Sequence, residues 1–350
     1  MNETPGLLHK LLRAAGPSGY EAQAAGVWRE AASFATLSAD GIGSSVARIG
    51  ERSPLLAVVG HIDEIGLVVR HIDESGFLWF APIGGWDPQI LVGQRVEITG
   101  RSGPVPGVVG RKPLHLLDAE ARKKVVELKG LHIDIGADGR EAAAGLVRVG
   151  DPVVIATEPL ALSGERLVSR AMDNRLGAYV ALEALRRCHE RDSLQGASFA
   201  AIAAVQEEIG LFGARTSAFA VEPDLAIVVD VTHATDAPGI DEKELGSHSL
   251  GSGPVIYRGA TLSPKVFELL VETAEAEGIE HTVGATGNST GTDADAVQFA
   301  RSGIPTGLLS IPLRYMHSPV EMVDLADLEA AVELIAAFAA RLDGDVDLSR

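Results

Sequence analysis

Cysteine is nearly absent from this chain. The only one, Cys188, cannot form an internal disulfide, so a reducing compartment fits. Basic residues are scarce beside acidic ones: 30 Lys and Arg face 48 Asp and Glu, a formal net charge of −18. Nucleic acid needs basic patches, so that balance argues against it as a partner, and equally against docking on anionic membranes. Aromatics make up 5% of the chain, which leaves no platform for stacking sugar rings. No apolar run approaches the ~18 residues of a spanning helix. Met1 to Lys10 lacks the apolar core of a signal peptide. A cytoplasmic protein is expected.

What remains is an ordinary globular balance over 350 residues, 46% hydrophobic, enough for two domains. Leu7 to Leu12 and Glu21 to Ala32 read as helices, and Ser44 to Ile49 and Leu55 to Gly60 as strands. From Ile65 to Ala156 the texture changes. Short alternating segments appear at Gly66–His71, Phe77–Ala81, Arg95–Thr99, Val105–Val109 and Leu131–Ile135, punctuated by Gly and Pro. That spacing predicts a small β-barrel or sandwich, with one helix over Ala119–Lys129. The α/β rhythm then resumes. Helices are expected over Asp173–Arg191, Ser263–Glu277, Asp293–Arg301 and Asp324–Ala340. Strands are expected over Ala197–Val205, Leu225–Val229, His281–Ala285 and Pro305–Ser310. The fold class is therefore α/β, a three-layer, mostly parallel sheet with an inserted small β-barrel-like domain. Residues 1–64 and 157–350 form the main domain, and 65–156 the insertion.

Polar residues gather at the ends of these elements. His61 and Asp63 follow one buried strand, Glu207 and Glu208 a second, and Asp230 a third. Asp173 starts a helix, and His317 follows the strand at Pro305–Ser310. A parallel sheet brings its strand ends to one edge, where ligands bind. Each residue has a bland alternative: a solvated Glu pair, a satisfied histidine, an Asp helix cap. Together they form a His and carboxylate set without cysteine, suited to Zn²⁺, Co²⁺ or Mn²⁺. Adjacent side chains diverge, so one glutamate can bind a metal while the other moves a proton. The spacing of His61 and Asp63 suits a carboxylate that orients the imidazole. His-Ile-Asp-Glu recurs at 71–74, before the turn Ser75-Gly76-Phe77, so His71 and Asp73 are expected to be structural. His233 stands close enough for substrate contact or a loop role. The Gly284–Gly291 stretch lacks the lysine of a P-loop and reads as a flexible loop.

The motifs Gly60-His61-Ile62-Asp63-Glu64-Ile65-Gly66, Met172-Asp173-Asn174-Arg175, Val205-Gln206-Glu207-Glu208-Ile209-Gly210, Asp230-Val231-Thr232-His233 and Arg314-Tyr315-Met316-His317-Ser318 carry a resemblance. Together with Leu131-His132-Ile133-Asp134-Ile135-Gly136, they are similar to the dinuclear metallo-aminopeptidases. That group includes glutamyl and deblocking aminopeptidases and the tetrahedral (TET) aminopeptidases. The resemblance implies a catalytic domain of zinc-peptidase type and a β domain used in oligomerisation, as in a dimer-based dodecamer. It implies two divalent metal ions per chain, zinc first, cobalt or manganese otherwise. His61, Asp173 and Asp230 would hold one ion, and Asp173, Glu208 and His317 the other. Glu207 would be the general base, and Asp63 would hold His61. Short peptides would lose their N-terminal residues. The rivals are a deacylase or carboxypeptidase on the same scaffold, a glycosidase, and a non-catalytic scaffold.

Overall fold

The computed structural model of the protein describes residues 4–348. An eight-stranded mixed sheet forms its centre. The strand order is Thr36–Ala39, Ser45–Ile49, Ser198–Ala204, Leu55–His61, Leu225–His233, Thr306–Leu313, Val255–Gly259, Thr282–Thr286. The four middle strands are mutually parallel. The Ser45–Ile49 and Val255–Gly259 strands join this block antiparallel, one on each side.

Strand alternation decides which face each side chain serves. Leu56, Val58, Phe199, Ala201, Ile227 and Val229 pack on one face, with the helices Gly6–Arg13, Met172–Glu190 and Leu325–Arg341. Ala57, Val59, Ala200, Ile202 and Val228 pack on the other, with Phe212–Val221 and Ala294–Val297. These middle strands are apolar on both faces because helices cover both, which gives the three layers. The Met172–Glu190 helix buries Leu176, Val180, Leu185 and Cys188, the positions that its 3.6-residue period marked.

Six further strands close into a barrel: Gly66–Ile72, Leu78–Ile83, Arg95–Gly100, Gly103–Arg111, Leu131–Asp134 and Pro152–Ile155. Its interior is filled by residues at a spacing of two, such as Leu67 and Val69, Val96 and Ile98, Leu131 and Ile133. Asp73 closes the turn after the first of these strands. It accepts from the Ser75 and Phe77 amides and from the Trp79 indole, a structural role.

Several expected elements differ. Ala119–Lys129 is not a helix; it holds only short turns at Ala121–Lys123 and Leu128–Gly130. Val125 is exposed and only Val126 and Leu128 pack on the barrel core, a spacing of two that does not make a helical face, and a helix of that length is marginal in water without one. The strand from Leu225 does not stop at Val229 but continues to His233, because Asp230 to His233 pair with Ser310 to Leu313. The helix expected over Asp293–Arg301 shrinks to Ala294–Val297. A helix at Arg140–Leu146 and the strand Pro152–Ile155 were not expected at all. No helix among the described residues is long and apolar enough to cross a membrane.

Candidate metal centre

His61 is the last residue of a fully buried strand and is 1% exposed. Asp173 stands at the start of the Met172–Glu190 helix, where the backbone is not yet helical at Asp173 and Asn174. Asn174 caps that helix: its Oδ1 accepts from the Gly177 amide at 2.9 Å, and its Nδ2 donates to the Val229 carbonyl at 2.8 Å. Asp173 is therefore not the cap. It faces the sheet edge, where the strands bearing His61 and Asp230 arrive. Close approach of helix and sheet needs two glycines. A Cβ on Gly60 would meet the Gly177 backbone at 2.2 Å, and one on Gly177 would meet the Val229 carbonyl at 2.4 Å.

The side chains converge. His61 Nε2 lies 3.2 Å from Asp173 Oδ1 and 3.8 Å from Glu207 Oε2. His317 Nε2 lies 3.3 Å from both Asp173 Oδ2 and Glu208 Oε1. Two groups have ligand atoms within 4.8 Å of one another: His61, Asp173 and Glu208, and His61, Glu207 and Asp230. Glu207 thus stands as near to His61 and Asp230 as a ligand would. Distance alone does not separate its role from that of Glu208.

Asp63 sits behind His61, fully buried, with Oδ1 at 3.4 Å from His61 Nδ1. Asp63 accepts hydrogen bonds from Ser18 Oγ at 2.6 Å and from the Glu207 and Glu208 amides at 3.1 and 3.2 Å. One carboxylate therefore anchors both the imidazole and the two-glutamate turn. Burial opposes ionisation of Asp63, but the contact with His61 and these donors hold its pKa below the usual range.

Crowded carboxylates dominate the electrostatics. Burial pushes Glu207 up to about 10, against the pull of His61, and repulsion from Asp230 and Asp293 adds to it. Burial likewise holds Asp230 well above the carboxylate range. Hydrogen bonds to Asp173 and Glu208 raise His317 to about 11. Burial opposes ionisation of Asp173 too, yet the two histidines hold it below the usual range. Five carboxyls and two imidazoles packed this tightly repel unless protons or cations intervene. Cysteine is not among them, and a His and carboxylate donor set of this kind fits divalent metals.

The cluster opens into a cleft of about 320 Å³, walled by Val231, Thr232, His233, Thr290, Gly291, Thr292 and Met316. A larger crevice, about 780 Å³, lies between the Gly6–Arg13 helix and the barrel and contains none of these donors. His233 is on the cleft wall, compatible with substrate contact. Thr290 and Gly291 belong to the Gly284–Gly291 segment read as a flexible loop, and Thr292 follows it directly; their place on the wall was missed. Asp293 was missed too: it is buried, neither carboxylate oxygen has a hydrogen-bond partner among the described residues, and burial raises it to about 7. Glu321 is the third omission. Its carboxylate accepts from the Met172, Asp173 and His317 amides. Its position four residues after His317 was the one available signal.

Residues 43–334 match the sequence profile of the M42 glutamyl aminopeptidase family. A lysyl aminopeptidase of Pyrococcus furiosus is 34% identical over 338 residues, 95% of each chain. An aminopeptidase from the archaeon Desulfurococcus kamchatkensis superposes with a TM-score of 0.88 at 37% identity, covering 96% of this chain and 94% of that one. The TET1 peptidase of Pyrococcus horikoshii, which can assemble into a tetrahedron or a large octahedral shell, gives 0.85 at 34% identity, covering 96% and 99%. The profile spans most of the chain and these relatives extend over nearly all of it, so the chain belongs to the M42 glutamyl aminopeptidase family of metal-dependent aminopeptidases.

Proposed function

We propose that this chain removes N-terminal residues from short peptides with two divalent metal ions. His61, Asp173 and Asp230 would hold one, and Asp173, Glu208 and His317 the other. The observation that carries this reading is Asp173, whose two oxygens face different histidines, Oδ1 toward His61 at 3.2 Å and Oδ2 toward His317 at 3.3 Å. A carboxylate so placed suits a shared ligand. Zinc suits the donor set best, with cobalt and manganese as alternatives.

When bound, the metals supply Lewis acidity toward the scissile carbonyl and the attacking water. Glu207 accepts the proton of that water at its carboxylate and delivers it to the nitrogen of the leaving amine. Asp63 fixes the His61 ring through Nδ1, so that Nε2 faces Asp173. The cleft walls hold the first residue of the peptide. Its free amine belongs at the acidic end of the cleft, beside Glu207 and Glu208.

Residues 65–156 would serve assembly, and residues 1–64 and 157–350 the chemistry. The relative from Pyrococcus horikoshii that can assemble into a tetrahedron, and a similar structure solved as a dodecamer, support a dimer-based dodecamer. A cytoplasmic location fits the single cysteine.

The test is chelation followed by reconstitution with Zn²⁺, Co²⁺ or Mn²⁺. Hydrolysis of a free-amine peptide and of its N-acetylated twin is then compared. Activity should vanish on stripping, return with metal, and favour the free amine. Faster cleavage of the acetylated peptide would refute an aminopeptidase, and activity that survives stripping would refute the metals.

A further inference from the structure

Asp173 and His317 reach the same centre from segments far apart in the chain, and the backbone around both is unusual. Ala171 has φ +60°, Tyr315 +60° and His317 +57°. Left-handed backbone at a non-glycine residue costs on the order of 1 kcal/mol or more, and it persists only where the surroundings over-determine it. His61 needs no such support, because it ends a regular buried strand.

One buried side chain touches both segments. Glu321, 2% exposed, begins the strand Glu321–Asp324, opposite Ser169. Its Oε2 accepts from the amides of Met172 at 2.7 Å and Asp173 at 3.2 Å, and its Oε1 accepts from the amide of His317 at 2.9 Å. Arg314 and Met322 exchange backbone hydrogen bonds of 3.0 Å in both directions, closing the loop that carries His317 and Glu321. Each carboxylate oxygen thus serves a different segment, and the loop ties them to one strand.

We propose that Glu321 is a positioning residue whose carboxylate clamps the backbones of Asp173 and His317, setting the separation of the ligands for one of the two metals. The inference rests on the metal-centre reading above. Loss of the clamp frees the His317 loop from the start of the Met172–Glu190 helix. The 3.3 Å approach of His317 Nε2 to Asp173 Oδ2 then has nothing to hold it. The arrangement of His61 with Asp63 is untouched. Asp173 is shared by both metals, whereas His317 serves only one, so the damage is asymmetric: the metal held by His317 loses more affinity than the one held by His61 and Asp230.

Two substitutions separate a clamp from a buried charge. Glu321→Gln keeps the size and one acceptor, but sets an amide N–H₂ group against a backbone N–H. Glu321→Asp keeps the charge and both oxygens, but is one methylene too short to reach both segments. Metal-stripped wild type and both variants are titrated with Co²⁺, followed by visible absorption and calorimetry, with near-ultraviolet circular dichroism to verify the fold. Wild type should take two equivalents. Each variant should bind the equivalent at His317 about 10–100-fold more weakly, the range for partners that orient metal ligands, and the other equivalent with a clearly smaller loss. Two equivalents at wild-type affinity in the variants would overturn the clamp. So would equal weakening of both sites, or an aspartate variant that matches wild type while the glutamine variant does not. A wild type that takes up fewer than two equivalents would defeat the metal-centre reading itself, and the clamp with it.

Discussion

Glu207 and Glu208 are adjacent, yet their side chains part. Glu208 lies 3.3 Å from His317, while Glu207 reaches toward His61 at 3.8 Å and groups with Asp230. Their backbone amides both end on Asp63, so the turn that carries them is pinned and the divergence is built in. If Glu207 is the base, Glu207→Gln keeps the shape and loses only the proton acceptor. Both metals should stay, and kcat should fall by about 10²–10⁴, the typical share of a general base. That is roughly 3–5.5 kcal/mol of transition-state stabilisation. Metal content and kcat measured on the same sample decide it. A normal kcat removes Glu207 from the chemistry, and lost metal makes it a ligand.

The element that governs the centre is the Met172–Glu190 helix, whose start must lie almost against the sheet. Gly177 makes this possible, since a Cβ there would meet the Val229 carbonyl at 2.4 Å and Asn174 Oδ1 at 2.6 Å. Both neighbours are held, one in a strand and the other in the helix cap, so neither yields cheaply. Gly177→Ala should therefore lift the helix start, displace Asp173 and destabilise the fold by about 1–3 kcal/mol. Gly26, inside the Ala22–Ala31 helix with nothing within 4 Å of its Cβ position, is the control. Gly26→Ala should be neutral or stabilise by about 0.5–1 kcal/mol. Thermal unfolding and metal content of the two variants check the contrast. Equal behaviour would mean that the close approach is not needed.

At the scale of the whole molecule, the barrel exposes apolar side chains that a solitary chain would keep in water. Leu114 is 56% exposed and Leu116 65%, in the turn before the segment that fails to form a helix, and Val125 within that segment is 64% exposed. Exposed apolar side chains of this kind suit contact with another copy. Light scattering at micromolar concentration should give a closed homo-oligomer far above the 36.6 kDa of one chain, with a dodecamer expected. A fully active monomer would contradict assembly altogether, and a stable dimer only its higher form.

By itself the sequence determined the parts that depend on local pattern. The doubly apolar middle strands, the alternating barrel strands and the period of the Met172–Glu190 helix follow from side-chain spacing. So does the placement of His61 and the Glu207-Glu208 pair at strand ends. Elements without a helical packed face went astray, as over Ala119–Lys129, where only Val126 and Leu128 reach the barrel core and propensity does not decide the outcome. Asp230 was misplaced at a strand end because pairing with Ser310 to Leu313, not composition, extends that strand. Only the tertiary structure gave Asn174 rather than Asp173 the capping role. Only it brought Glu321 onto the amides of two segments about 150 residues apart. The reason is physical: a hydrogen bond to a backbone amide needs no particular residue at the donor. The chain carries no mark of which acceptor will meet which donor until the sheet and its loops have closed.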